Sequence, residues 1–176
     1  MTQAQIPYSV MVSDFDEKVN AGLSLEEQSK EIAYGKAKDI FDKTTGNRCV
    51  IGSDTLVIVD GKQFGKAKTR EEAIDMLKQI QGKSHQIFTS LAIIIEKNGQ
   101  TKTYKELSQN TVFVKEMTEE EIQDYVDSEK PYFCAGAYAI QGIFSVFIQR
   151  IEGDYSAILG LPINRVYDIL KENQII

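Results

Sequence analysis

CVIGSDTLVIVDGK, Cys49–Lys62, is the stretch whose reading decides the fold. It looks like a buried strand closed by a tight Asp60-Gly61 turn. Asp54 nevertheless sits in its middle, between Ser53 and Thr55. On a strand, Val50, Gly52, Asp54 and Leu56 share one face, and Ile51, Ser53, Thr55 and Val57 share the other. A buried carboxylate costs free energy unless it is paired, hydrogen-bonded or bound to metal. Gly52 and Ser53 leave room beside Asp54, as an approaching ligand needs. Two readings stand side by side: a strand-end aspartate that caps a loop, or a functional carboxylate.

Outward from this strand, helices and strands mix along the whole chain. Tyr8–Phe15 reads as a β-strand. Ser24-Leu25-Glu26-Glu27 is a capping-box pattern that opens a helix to about Thr44, with a stop at Gly46. Ala33, Ala37, Ile40 and Phe41 fall on one face of that helix; Lys36 borders this face and Lys38 points elsewhere. Thr69-Arg70-Glu71-Glu72 opens a second helix with Ala73, Leu77 and Ile80 inward, ending near Gly82. His85–Lys97 and Thr101–Lys115 read as a hairpin around Asn98-Gly99. Thr118 starts a short helix that ends before Pro131, and YAIQGIFSVFIQRI gives a glycine-marked turn followed by a strand. Pro162 suits the first turn of a last helix, to roughly Asn173. The hairpin excludes an all-parallel sheet, so the expectation is an α/β fold with a mixed central sheet flanked by helices.

The chain has 176 residues, which suggests a single domain, 1–176, with room for two lobes. A net charge of −6 argues against a general nucleic-acid or anionic-membrane surface, while leaving a small anionic ligand open. The two cysteines, Cys49 and Cys134, form no short-spaced metal pair, which fits a reducing cytoplasm. The opening MTQAQIPYSV has no signal-peptide pattern, and the longest apolar run is far too short for a bilayer.

Three further stretches carry possible chemistry. In GKAK, Gly65–Lys68, the glycine permits close backbone approach and Lys66 offers a point charge suited to phosphate; a solvated basic loop is the alternative. AGAYAIQG, Ala135–Gly142, contains Gln141, an amide that can donate and accept toward a base edge or sugar, within what also reads as a structural turn. EGDYSAILGLP, Glu152–Pro162, reads as an anion-binding helix start or as an ordinary turn. His85, the only histidine, has no partner spacing for a transition metal and reads as structural. No P-loop, nucleophile elbow or dinucleotide fingerprint is present.

The order of these motifs is more telling than any of them alone. VIGSDTLVIVDGKQFGKAKTREEAIDMLKQIQGKSHQIFTS, then AGAYAIQG and IEGDYSAILGLPI, with IPYSVMVSDFDEK and YGKAK upstream, resembles the Maf family of nucleoside triphosphate pyrophosphatases across essentially the whole chain. The resemblance implies an elongated, two-lobed, Maf/ITPase-like α/β architecture with a deep cleft. It implies hydrolysis of a nucleoside triphosphate to monophosphate and pyrophosphate with a divalent cation, magnesium or manganese, and often a homodimer. Such proteins are also associated with septum formation. By resemblance, Asp54 matches the catalytic acidic residue, the proton acceptor, and Thr55 a position linked to base choice; taking the proton of water and ligating the metal are two roles of Asp54 that the sequence does not separate. Lys36 matches the helix lysine, Lys66 the lysine of the Gly-Lys-Pro loop, and Glu17 the acidic residue after the first strand. Gln141 matches the glutamine of the branch acting on dTTP and UTP.

The chain also departs from the family pattern. The Ser-x-Ser-Pro-Arg-Arg motif, whose arginines are thought to grip the phosphates, and the strand before it are not found ahead of Ile6. Ala67 stands for the usual proline after Lys66, and Phe133-Cys134 for an Asp-Lys pair. These departures keep a second expectation open, a catalytically weak nucleotide-binding or septum-related regulatory member. The codons upstream of Met1 discriminate between the two.

Overall fold

The computed structural model describes residues 1–18 and 22–176. The elements, in chain order, begin with a 3-10 turn at Thr2–Ala4 and continue as α1 Leu25–Lys43, β1 Arg48–Val59, β2 Lys62–Phe64, α2 Arg70–Ile80, β3 Ser84–Lys97 and β4 Gln100–Val114. They continue as α3 Glu119–Glu129, a 3-10 helix Gly142–Phe147, β5 Ile148–Glu152, α4 Tyr155–Ile158 and α5 Ile163–Glu172. Five strands form one sheet in the order β2-β1-β3-β4-β5. The expected α/β class, a central sheet with flanking helices, is therefore what the chain forms.

The strand directions narrow the expected mixed sheet. β1 pairs with β2, and β4 with β5, antiparallel. Asn98 N–H donates to Asn47 Oδ1 and Ser53 Oγ donates to the Ser90 carbonyl, so β1 and β3 run in opposite directions as well. Two tight turns make the hairpins. Asp60 and Gly61 have φ of 49° and 75°, and Asn98 and Gly99 have 53° and 76°. Two successive left-handed residues give the turn whose twist matches that of antiparallel strands.

Two compact units divide the chain: Met1–Asp54 with Thr89–Ser108 and Gly160–Ile176, and Thr55–Phe88 with Gln109–Leu159. The first unit explains why β3 is apolar on both faces. Ala92 and Ile94 pack with Ala33 and Ala37 of α1 and with Val50. Leu91, Ile93 and Ile95, on the opposite face, pack with Val166, Ile169 and Leu170 of α5 and with Ile51. Alternation along the strand thus feeds two helices rather than one helix and solvent.

In the second unit, Ala73, Leu77 and Ile80 of α2 meet Ile122 and Val126 of α3 over Val57, Val59, Ile87 and Val112. Each fully buried aliphatic here is worth about 1.5–3 kcal/mol relative to exposure. Both helix starts use Ser/Thr caps, but not identically. Thr118 and Glu121 form the reciprocal capping box. Thr69 caps Glu72 N–H, while the Glu72 carboxylate instead accepts from Lys68 N–H at 2.6 Å.

Tyr8–Phe15 is a correction: it forms no strand. Val10 and Val12 are 80% and 86% exposed, so the β-prone side chains there meet no apolar surface. A strand needs a paired neighbour, and none is described for this segment. The segment is held from its far end instead. Ser13 Oγ and Asp14 N–H donate to Asp39 Oδ2 at 2.9 Å each, and the Phe15 ring fills the space where Gly35 of α1 has no side chain.

Candidate functional site

α1 lies against β1 at the one residue of that strand with no side chain. A Cβ on Gly52 would collide with the Ala33 carbonyl and sit 2.8 Å from the Ala37 nitrogen. The room beside Gly52, expected to admit a ligand, is therefore filled by α1. This close approach carries Lys36, one residue before Ala37, to Asp54, two residues after Gly52 on the same strand face.

Lys36 Nζ donates to Asp54 Oδ1 at 3.1 Å and to Glu17 Oε1 at 2.9 Å. The Asp54 side chain is only 10% exposed, and its second oxygen, Oδ2, is buried with no hydrogen-bond partner among the described residues. Burial alone would lower the Lys36 ammonium, but the hydrogen bond to Glu17 and the charge of Asp54 outweigh it and hold the group above the ordinary lysine value. Lys36 therefore stays cationic between two carboxylates. The backbone of Asp54 is also held: Ser29 Oγ, on fully buried Ser29 of α1, donates to the Asp54 carbonyl at 3.4 Å. Sequence reasoning missed Ser29. Its signal was periodicity, because it lies four residues before Ala33 and seven before Lys36 on one helical face.

The remaining candidates belong to the second unit. Thr55 is half-buried on β1. Lys66 is exposed, and its backbone forms an isolated antiparallel bridge with Ala135. Gly136 N–H donates to the Gly65 carbonyl at 3.0 Å, so GKAK and AGAYAIQG, far apart in sequence, are backbone partners. Burial raises the Cys134 thiol while the nearby Lys66 charge opposes the rise. Gln141 is exposed at the start of the Gly142–Phe147 helix. Glu17, Lys36 and Asp54 are thus brought together in one unit, and Lys66 and Gln141 are carried by adjoining loop segments of the other.

Two stretches resolve toward their structural readings. The Asp154 carboxylate accepts from Ser156 N–H at 2.8 Å and from Ser156 Oγ at 2.7 Å. It occupies the start of α4 itself, so EGDYSAILGLP is a capped turn. His85 is buried, with Nε2 2.7 Å from Tyr138 Oη, and burial pushes its pKa down to about 4. It is a neutral core histidine at physiological pH.

The donor set can be tested against a divalent cation. Among the described residues no cluster of three or more His, Cys, Asp or Glu side chains could hold a metal ion. Glu17, Lys36 and Asp54 sum to one negative charge, and one buried carboxylate oxygen is unused. That arrangement suits an ion that keeps most of its waters and takes phosphate oxygens, as magnesium does; it does not suit an all-protein cage.

An α/β protein with a nearly buried aspartate bonded to a lysine that also pairs with an exposed glutamate is the class that fold and site define. A family model described as Maf-like protein matches residues 1–173, and the chain belongs to that family. It is 40% identical over 171 residues to a dTTP/UTP pyrophosphatase of Alkaliphilus oremlandii, covering 96% of this chain and 86% of that one. It is 39% identical to a protein of the same name from Desulforamulus reducens, covering 94% and 85%. A third relative of that name, from Bacillus cereus, is 37% identical, covering 96% and 86%.

Proposed function

We propose that this protein hydrolyses the α–β phosphoanhydride of a nucleoside triphosphate, dTTP or UTP, to the monophosphate and pyrophosphate. Family membership and the names of the relatives support the reaction class. The observation that carries the site assignment is the Asp54 carboxylate: nine-tenths buried, tied to Lys36 through one oxygen and with the other oxygen unused.

In this reading a water oxygen bonds to the α-phosphorus, the bond from that phosphorus to the bridging oxygen breaks, and pyrophosphate leaves. Asp54 takes the proton of the attacking water through Oδ2. Lys36 holds the Asp54 carboxylate in place and supplies positive charge, and Lys66 supplies a second cation for the phosphate oxygens. Asp54, with Glu17 close by, would hold a magnesium or manganese ion, which supplies charge neutralisation of the triphosphate when bound. Glu17 keeps Lys36 oriented and exchanges this role for substrate contact. Thr55 and Gln141 face base choice. A uracil-type edge offers a donor flanked by two acceptors, and an amide complements such a pattern because it both donates and accepts.

The reading includes a cytoplasmic homodimer, with nucleotides rather than nucleic acid as partners. No helix among the described residues is long and apolar enough to cross a membrane.

A pyrophosphate-release panel over the common ribo- and deoxyribonucleoside triphosphates, with magnesium or manganese, tests the reaction. The expected result is release from dTTP and UTP exceeding that from the others by roughly tenfold. No release from any triphosphate overturns it. Gln141→Glu removes the amide donor and adds charge, and should lower kcat/KM for dTTP and UTP by about tenfold relative to purine substrates. An unaltered panel removes Gln141 from base reading.

A further inference from the structure

Gln141 stands between two anchors that touch each other. Tyr138, three residues before it, and Phe144, three after it, have ring centroids 4.5 Å apart. Both rings are buried while Gln141 is exposed, so the loop closes at its base and presents the amide at its tip. Left-handed residues shape it: Gly136 at φ 71°, Ala137 at 56° and Gly142 at 74°. Alanine rarely adopts this conformation, and such residues persist only where the surroundings over-determine them.

Those surroundings are specific. Tyr125 Oη accepts from Ala139 N–H at 3.2 Å, and its ring lies 4.9 Å from that of Phe144. Among the described residues, the polar tether on the Tyr138 side chain is the 2.7 Å hydrogen bond to His85 Nε2. His85 sits on β3, and its ring meets that of Tyr138 edge-on at 5.4 Å and 87°. Its Nδ1 is buried without a hydrogen-bond partner among the described residues, so Tyr138 is the one hydrogen-bond partner the ring has there. A buried polar pair set in an otherwise apolar cluster specifies one arrangement of that cluster, because misaligned partners are left unsatisfied.

We propose that His85 and Tyr138 are positioning residues for base selection: their hydrogen bond fixes the loop that presents Gln141. The proposal rests on the reading above that Gln141 contacts the base. It assigns His85 a role outside the chemistry, since the buried ring is engaged with Tyr138. The same tether also steadies Ala135 and Gly136, whose backbone pairs with Lys66 and Gly65, but the effect on the amide is the specific one.

Two variants and a rescue test this on the full chain. Tyr138→Phe removes only the hydroxyl and keeps the ring contact. His85→Ala removes the partner, and His85→Gln restores a polar nitrogen close to the place of Nε2. Hydrogen exchange in peptides covering 139–147 should quicken by roughly tenfold in Tyr138→Phe and His85→Ala, with α2 unchanged and with recovery in His85→Gln. The ratio of kcat/KM for dTTP over a purine triphosphate should fall about fivefold in the first two variants and recover in the third, while kcat for dTTP changes less. Unchanged exchange overturns the proposal, whatever the activity. Faster exchange with an unmoved base ratio in an active enzyme also overturns it, since a merely structural role lowers activity toward all bases alike. If wild-type protein releases no pyrophosphate, the reaction reading fails and the role in base selection fails with it; the exchange arm then reports only whether the tether holds the loop.

Discussion

Asp54→Asn should lower pyrophosphate release by roughly 10³-fold while leaving a folded protein. The geometry separates the two effects. Lys36 bonds to Oδ1, and an asparagine carbonyl oxygen in that place still accepts from Nζ. Oδ2, the oxygen without a partner, becomes an amide nitrogen that can neither take a proton from water nor bind a cation. A buried unpaired donor costs on the order of 1–3 kcal/mol, small enough for a domain of this size to remain folded. Circular dichroism melts and a pyrophosphate assay with dTTP or UTP check both halves. Turnover within threefold of wild type would take Asp54 out of catalysis and return it to the loop-capping reading. An unfolded variant would show that the negative charge of the carboxylate is structural, since the hydrogen bond from Lys36 is kept.

The elements with strong periodicity and end signals were legible in the sequence. Ser24 with Glu27, Thr118 with Glu121, Asn98-Gly99 and Asp60-Gly61 each act over a few residues, so local chemistry settles them. Asp54 was legible because a carboxylate in an apolar run contradicts its surroundings. Tyr8–Phe15 was misread because alternation and β-propensity describe a side-chain pattern, whereas a strand exists only with a hydrogen-bonded neighbour. The bridge from Lys66 to Ala135 joins residues distant in sequence, and nothing local to either announces it. His85 illustrates the boundary: its type and setting gave a structural histidine correctly, but its partner, Tyr138, follows only from the fold. The family resemblance supplied order where local physics supplied parts, and its site assignments met the geometry unevenly. Asp54, Lys36 and Glu17 form a bonded cluster, whereas Gln141 is an exposed amide at the start of the Gly142–Phe147 helix.

Gly52→Ala is expected to destabilise the protein by about 2–3 kcal/mol, as overpacking of a tight core contact does. For a chain of this length that is a fall in Tm of roughly 5–10 °C. The added methyl meets backbone rather than a flexible side chain, since its neighbours are the Ala33 carbonyl and the Ala37 nitrogen. Rotamer changes cannot relieve it, so α1 must move away from β1. That movement falls on the Lys36–Asp54 pair, because Lys36 precedes Ala37 and reaches Asp54 across this contact. Activity in the folded fraction should therefore drop with stability, through kcat more than through KM. Gly65→Ala is the matched comparison: a Cβ there meets nothing within 4 Å, and its Tm should stay close to that of wild type. Equal melting temperatures for the two variants would show that Gly52 leaves open space beside Asp54, as the sequence alone suggested. A lower Tm for Gly52→Ala alone would establish that the missing side chain is what lets helix and strand approach closely enough to pair lysine with aspartate.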